Sequence, residues 1–196
     1  MRQASSVYAN QRVGIFIDVQ NLYHSAKNLY HARVNYRELI KHLVAGRQPI
    51  RSLAYVVKSE GVEGAAPRDG AQHVVKEVYR SDDTRSVSSE AAFFEALEKA
   101  GLELRLKDLQ IYADGLKKAD WDVGMAVDAI RMSSFLDVVI LVTGDGDFLP
   151  LIDYLKWGVG RFVEVAAFHR SASSKLREAA DKFINIEEIP RVLIKR

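Results

Sequence analysis

The 196-residue chain contains no cysteine. That absence excludes disulfides, zinc–thiolate sites and thiol nucleophiles together, and it suits a reducing compartment. Long apolar runs are missing too: no stretch approaches the roughly 18 consecutive apolar residues of a membrane span. The first eleven residues lack the apolar core of a signal peptide, so a cytoplasmic protein with no membrane partner is expected. Charge of one sign is scarce, since 28 basic and 26 acidic residues leave a net charge of +2. That balance neither demands nor excludes nucleic acid, and local clustering has to decide. The five histidines, His24, His31, His42, His73 and His169, show no metal-ligand spacing. Internal repeats and low-complexity tracts are absent as well.

What remains is an ordinary globular composition, 48% hydrophobic and 28% charged, in a chain long enough for a real core. Residues 1–196 read as one domain. Short apolar, β-rich runs predict strands at Val13–Ile17, Ser52–Val57, Leu102–Leu106, Val138–Val142, Phe162–Ala167 and Phe183–Ile186. Helical spacing predicts helices at Asn21–Tyr30, Tyr36–Val44 (with Asn35 as N-cap), Ala91–Ala100, Asp122–Phe135, Phe148–Trp157 and Ser173–Lys182. For Asp122–Phe135 the apolar face is read as Val123, Ala126, Val127 and Ile130. Ser88 or Ser89 is the candidate cap for Ala91–Ala100, with Gly101 just past its end. A polar insertion at about 59–89 is too long for a plain loop, and Gln72–Tyr79 is a candidate short helix within it. Strands alternating with helices predict an α/β fold, a three-layer α/β/α arrangement around a mostly parallel sheet.

Three acidic clusters carry the functional signal. Asp18 ends the first predicted strand, Asp120 and Asp122 open the helix that feeds the fourth, and Asp145 and Asp147 follow the fourth itself. In a parallel sheet all three positions fall at the carboxyl edge, where ligands gather. Carboxylates beside buried strands are costly unless something positive neutralises them, and a divalent cation is the simplest such partner. Each acid also has a plainer reading. Asp18 can cap the next helix, Asp120 and Asp122 can complement a helix dipole, and Asp-Gly pairs form turns. Asp128 lies six residues beyond Asp122, rotated roughly 240° around the helix, so it ranks as an outer group or a solvated residue. Asn21 projects toward the same edge. Lys118, Arg170 and Lys175 lie near it and could meet a phosphate backbone. Val192, Leu193 and Ile194 are expected to be exposed and able to dock on a partner, including a second copy.

The segments Ile15-Phe16-Ile17-Asp18-Val19-Gln20-Asn21-Leu22, Lys118-Ala119-Asp120-Trp121-Asp122-Val123-Gly124, Val127-Asp128 and Thr143-Gly144-Asp145-Gly146-Asp147-Phe148-Leu149-Pro150 resemble the NYN domains. The likeness is to the LabA-like branch, within the wider PIN-like nuclease superfamily. Ser174-Lys175-Leu176 and Ala180-Asp181-Lys182-Phe183 are similar to the family's end. The resemblance implies an endoribonuclease that hydrolyses RNA with Mg²⁺ or Mn²⁺. It makes Asp18, Asp122, Asp145 and Asp147 the metal-binding and catalytic acids, with Asn21 as the polar residue after the first acid. Thr143 becomes the small hydroxyl before the third. The chain departs from the family pattern in carrying Gln20 where members usually have Asn.

Oxygen-only ligands suit Mg²⁺ or Mn²⁺, and one or two such ions would activate water and stabilise charge on the scissile phosphate. Asp18 and Asp145 are expected as direct ligands. Asp122 and Asp147 would ligate or orient water. Two other classes compete. One is a non-catalytic regulatory or scaffold module binding nucleic acid or protein. The other is an aspartyl phosphatase, which needs a second acid two residues after the first, where this chain has Gln20.

Overall fold

A computed structural model describes residues 9–58, 83–108, 110–111, 117–118 and 121–195. Its centre is a six-stranded sheet in the order β4-β3-β1-β7-β8-β9, parallel at every pairing. The strands are β1 (Arg12–Asp18), β3 (Gln48–Lys58), β4 (Glu103–Asp108), β7 (Val138–Val142), β8 (Phe162–Ala167) and β9 (Lys182–Asn185). Central strands buried on both faces need continuous apolar sequence, and β7 is buried along its full length. Alternation then divides the core. Val13, Ile15, Ile17, Ile140 and Val142 face one layer, while Phe16, Val139, Leu141 and Val165 face the other.

The first layer holds α1 (Val19–Tyr30), α2 (Tyr36–Val44) and α3 (Asp83–Lys99), and the second holds α4 (Asp122–Ser133), α5 (Leu149–Asp153) and α6 (Ser174–Ala179). The expected three-layer α/β/α fold is the one found. Asn35 caps α2 as expected, its side chain accepting from Glu38 N at 3.3 Å. Gly101 takes a positive φ of 89° just past α3, and Leu102 N donates back to Leu97 O.

Four expectations are corrected. Helix α3 begins at Asp83, so Ser88 and Ser89 lie inside it rather than capping it. On α4 the buried residues are Met125, Ala129 and Ser133, whereas Val123 is 75% exposed and Val127 and Ile130 are more than a third exposed. Of the expected face only Ala126 packs against the core, partly buried, and the helix turns Met125 and Ala129 to the sheet instead. The Phe148–Trp157 helix is divided into a 3₁₀ turn, α5 and a π turn over Tyr154–Gly158. Finally, Val192 is buried in the chain's own core, and β10 (Leu193–Lys195) pairs antiparallel with β2 (Ala32–Val34). Val192 is therefore internal and Leu193 part-buried, while Ile194 is exposed as expected. The remaining strands, β5 (Gln110–Ile111) and β6 (Lys117–Lys118), form a small antiparallel pair. The candidate helix Gln72–Tyr79 and most of the insertion lie outside the described residues.

Candidate functional site

Asp18 is the last residue of β1 and the N-cap of α1. Its Oδ1 accepts from Asn21 N at 3.0 Å, so the capping reading of this residue is correct. The second oxygen does something else. Oδ2 accepts from Thr143 Oγ1 at 3.3 Å, across the β1–β7 boundary. Burial pushes the Asp18 carboxyl above its ordinary value, and the hydrogen bonds from Asn21 and Thr143 counter that. The negative charge of Asp145 adds to the upward shift. Among the described residues no lysine or arginine is paired with Asp18.

The strand-β7 loop meets Asp18 through a chain of short bonds. Thr143, itself buried, receives Asp145 N on its Oγ1 at 3.2 Å. Asn21 Oδ1 accepts from Gly144 N at 3.0 Å, which ties the first turn of α1 to the loop. Asp145 Oδ1 accepts from Asp147 N at 3.0 Å and caps the Gly146–Phe148 turn. Ser173 N donates to Gly144 O at 2.9 Å. A Cβ on Gly144 would sit 3.0 Å from Ser171 O, so glycine lets the Ser171–Ser173 loop close over this segment. Sequence reasoning missed that loop, because its contribution is backbone contact and its serines carry no motif.

The amino end of α4 reaches the same edge by way of Trp121. The indole Nε1 donates to Val56 O at 3.0 Å, and the ring lies edge-on to Tyr55 at 5.5 Å. Tyr55 is the register partner of Asp18. A Cβ on Gly124 would fall 2.5 Å from the Trp121 ring, so the Trp-Asp-Val-Gly spacing seats the indole. Asp122 therefore opens a helix anchored beside β1, and α4 also touches the Gly146–Phe148 turn. Asp128 is neither solvated nor open. Its Oδ2 accepts from Tyr55 OH at 3.0 Å and from Arg105 Nε at 3.3 Å.

Asp18, Asn21, Thr143 and Asp145 are thus brought together, with Asp147 bonded to Asp145 through its backbone. Asp122 stands at the neighbouring helix start and makes a contact of its own. Among the described residues no three acidic or histidine side chains come close enough to hold a metal ion, so the expected four-carboxylate cluster is not assembled. The carboxylates of Asp18 and Asp145 suit a hard cation that keeps much of its water, as Mg²⁺ does, while the Asn21 carbonyl is held by Gly144 N and the Thr143 hydroxyl by Asp18 and Asp145 N. Arg170 and Lys175 are exposed on the loop and helix after β8. The side chain of Lys118 and all of Asp120 lie outside the described residues. His169, near the same edge, is engaged by Arg177 and stacks edge-on to Phe183.

A family model described as NYN domain matches residues 12–187. No protein with a curated description matches. Among solved structures, a protein of unknown function from Vibrio parahaemolyticus RIMD 2210633 is similar, at 26% identity and a TM-score of 0.74, covering 99% of this chain and 100% of its own. Within the described residues no helix is long and apolar enough to cross a membrane.

Proposed function

The chain belongs to the NYN domain family, and on that footing we propose that it is a metal-dependent endoribonuclease hydrolysing RNA phosphodiester bonds in the cytoplasm, of the LabA-like branch. The observation that carries the proposal is Asp18: a part-buried carboxylate at the end of the central strand, pressed by Asp145 and without a described cationic partner. Burying such a group costs free energy that a plain helix cap does not require, because a serine or asparagine caps equally well. Mg²⁺ or Mn²⁺ bound there would neutralise the acids and polarise the scissile phosphate. Asp18 and Asp145 would hold it, with Asp122 and Asp147 orienting water. Thr143 keeps the Asp18 oxygen in place. Asn21 is held by its carbonyl on Gly144 N, which leaves its amide nitrogen to meet water or a phosphate oxygen. Lys118, Arg170 and Lys175 would contact the RNA backbone. No covalent nucleophile is needed.

The test is cleavage of labelled single-stranded RNA with Mn²⁺ by the wild type and by Asp18→Asn. Wild-type cleavage that the variant loses is the expected result, and equal cleavage by both would refute the assignment. A second reading, a non-catalytic module binding nucleic acid or protein, is favoured by the absence of a three-acid group among the described residues. Calorimetry with Mn²⁺ separates the two: binding that Asp18→Asn abolishes supports the nuclease, and no binding by the wild type supports the module.

A further inference from the structure

At the opposite end of the sheet, an open cleft of about 360 Å³ is lined by residues of α2, of β9 and of the segments before β3 and after β9. Lys41 and His42 come from the last turn of α2, Arg47 precedes β3, and Lys182 begins β9. Ile184, Ile189 and Pro190 supply an apolar wall, and Glu38 contributes the one acid of the lining. Arg47, in the lining, is paired behind it with Glu164. Arg47 donates to both oxygens of Glu164 at 2.9 and 3.0 Å, and both side chains are almost fully buried.

The charges are unequal in their freedom. Arg47 is occupied by Glu164 and by the carbonyls of Leu43 and Val44, so it also neutralises the negative end of α2. Lys182 sits 3.8 Å from Glu164, with its side chain half exposed. Lys41 and His42 have no side-chain partner among the described residues. The cleft therefore offers two ammonium groups and an imidazole that can turn to a ligand, beside an apolar wall and one carboxylate. Its volume lies at the low end of small-ligand sites, which run from roughly 300 to 1,000 Å³.

We propose that this amino-edge cleft binds a small phosphate-bearing organic molecule of mononucleotide size. Lys41, His42 and Lys182 hold the phosphate. Ile184, Ile189 and Pro190 pack against the base, and Glu38 accepts from a sugar hydroxyl or base amine. A ligand of this size suits a cleft of about 360 Å³, and its one apolar face matches the one apolar wall. The site is independent of the acids at the carboxyl edge.

The test is calorimetry of the full chain with AMP, with inorganic phosphate and adenosine as separate arms. Wild type and Asp18→Asn should bind AMP equally, and more tightly than either fragment. Lys182→Gln and Lys41→Gln, both surface changes, should each weaken AMP at least about tenfold, the size of one charge-assisted hydrogen bond. No binding of AMP, unchanged affinity in both lysine variants, or binding of an aspartate-rich peptide in place of AMP would overturn the proposal.

Discussion

Replacing Arg47 by methionine should cost the fold about 4 kcal/mol, because the change strands a buried carboxylate. Glu164 lies on β8 with 3% of its side chain exposed, and Arg47 is only 7% exposed. The pair makes two parallel bonds at 2.9 and 3.0 Å, and breaking such a buried pair from one side costs about 3–5 kcal/mol. Two corrections oppose each other. Arg47 also donates to Leu43 O at 2.6 Å and Val44 O at 3.2 Å, each a further loss of about 1 kcal/mol. Lys182 Nζ, 3.8 Å from Glu164, recovers part of that from a half-exposed position. The control is Arg51→Met. Arg51 donates from its single Nη1 to both Glu103 oxygens at 2.8 and 2.9 Å, and the two side chains are 52% and 45% exposed, so its loss should stay below about 1 kcal/mol. Equilibrium unfolding in urea, with m unchanged, measures both. The double variant Arg47→Met/Glu164→Leu should regain most of the loss, since the stranded charge is gone. If the two single variants fell within about 1 kcal/mol of each other, burial would not be what makes this pair matter.

In EDTA, Asp18→Asn should be more stable than wild type at neutral pH by about 0.5–2 kcal/mol, the usual yield of one stabilising replacement. The sign follows from the raised Asp18 pKa: the folded chain holds that proton more tightly than the unfolded chain. Its contribution is therefore present below the ordinary value of 3.8 and fades as pH rises through the folded value. Melting temperatures from pH 4 to 7 should show a flatter profile for the variant, and a variant less stable throughout would contradict the assignment. Gly124→Ala should displace Trp121, whose ring lies 2.5 Å from the added methyl position, at about 1–3 kcal/mol. A shifted tryptophan emission should accompany the loss. On α4, Met125→Ala should cost about 2–5 kcal/mol and Val123→Lys less than about 0.5 kcal/mol. The reverse order in thermal unfolding would mean that the exposed stripe is the core face.

Much of the fold was legible because a buried parallel strand has a signature that survives without its neighbours. Val138–Val142 is apolar throughout and can be little else, and Asn35 is placed by the hydrogen bond that only a short polar side chain can return to the helix. Helix α4 was legible as a helix but not in its orientation. Val123, Val127 and Ile130 make the stronger apolar stripe, yet Met125, Ala129 and Ser133 are the residues turned to the sheet. Sequence cannot weigh the space between two layers. Val192 misled for a related reason: whether it meets solvent depends on β2, more than 150 residues earlier.

For the site, the chain alone determined which acids end strands and open helices, because strand alternation fixes the edge to which each belongs. Alternation alone therefore assigns Asp18, Asp145 and the start of α4 to one rim. Tertiary structure decided the rest. Register set Tyr55 beside Asp18 and turned Asp128 toward Arg105. The Thr143 hydroxyl chose which Asp18 oxygen it would hold, and the described carboxylates came together as a pair instead of a cluster. The division has one physical cause. Periodicity is a property of consecutive residues, whereas a distance between side chains on different elements depends on how closely those elements pack, and the order of residues does not record that.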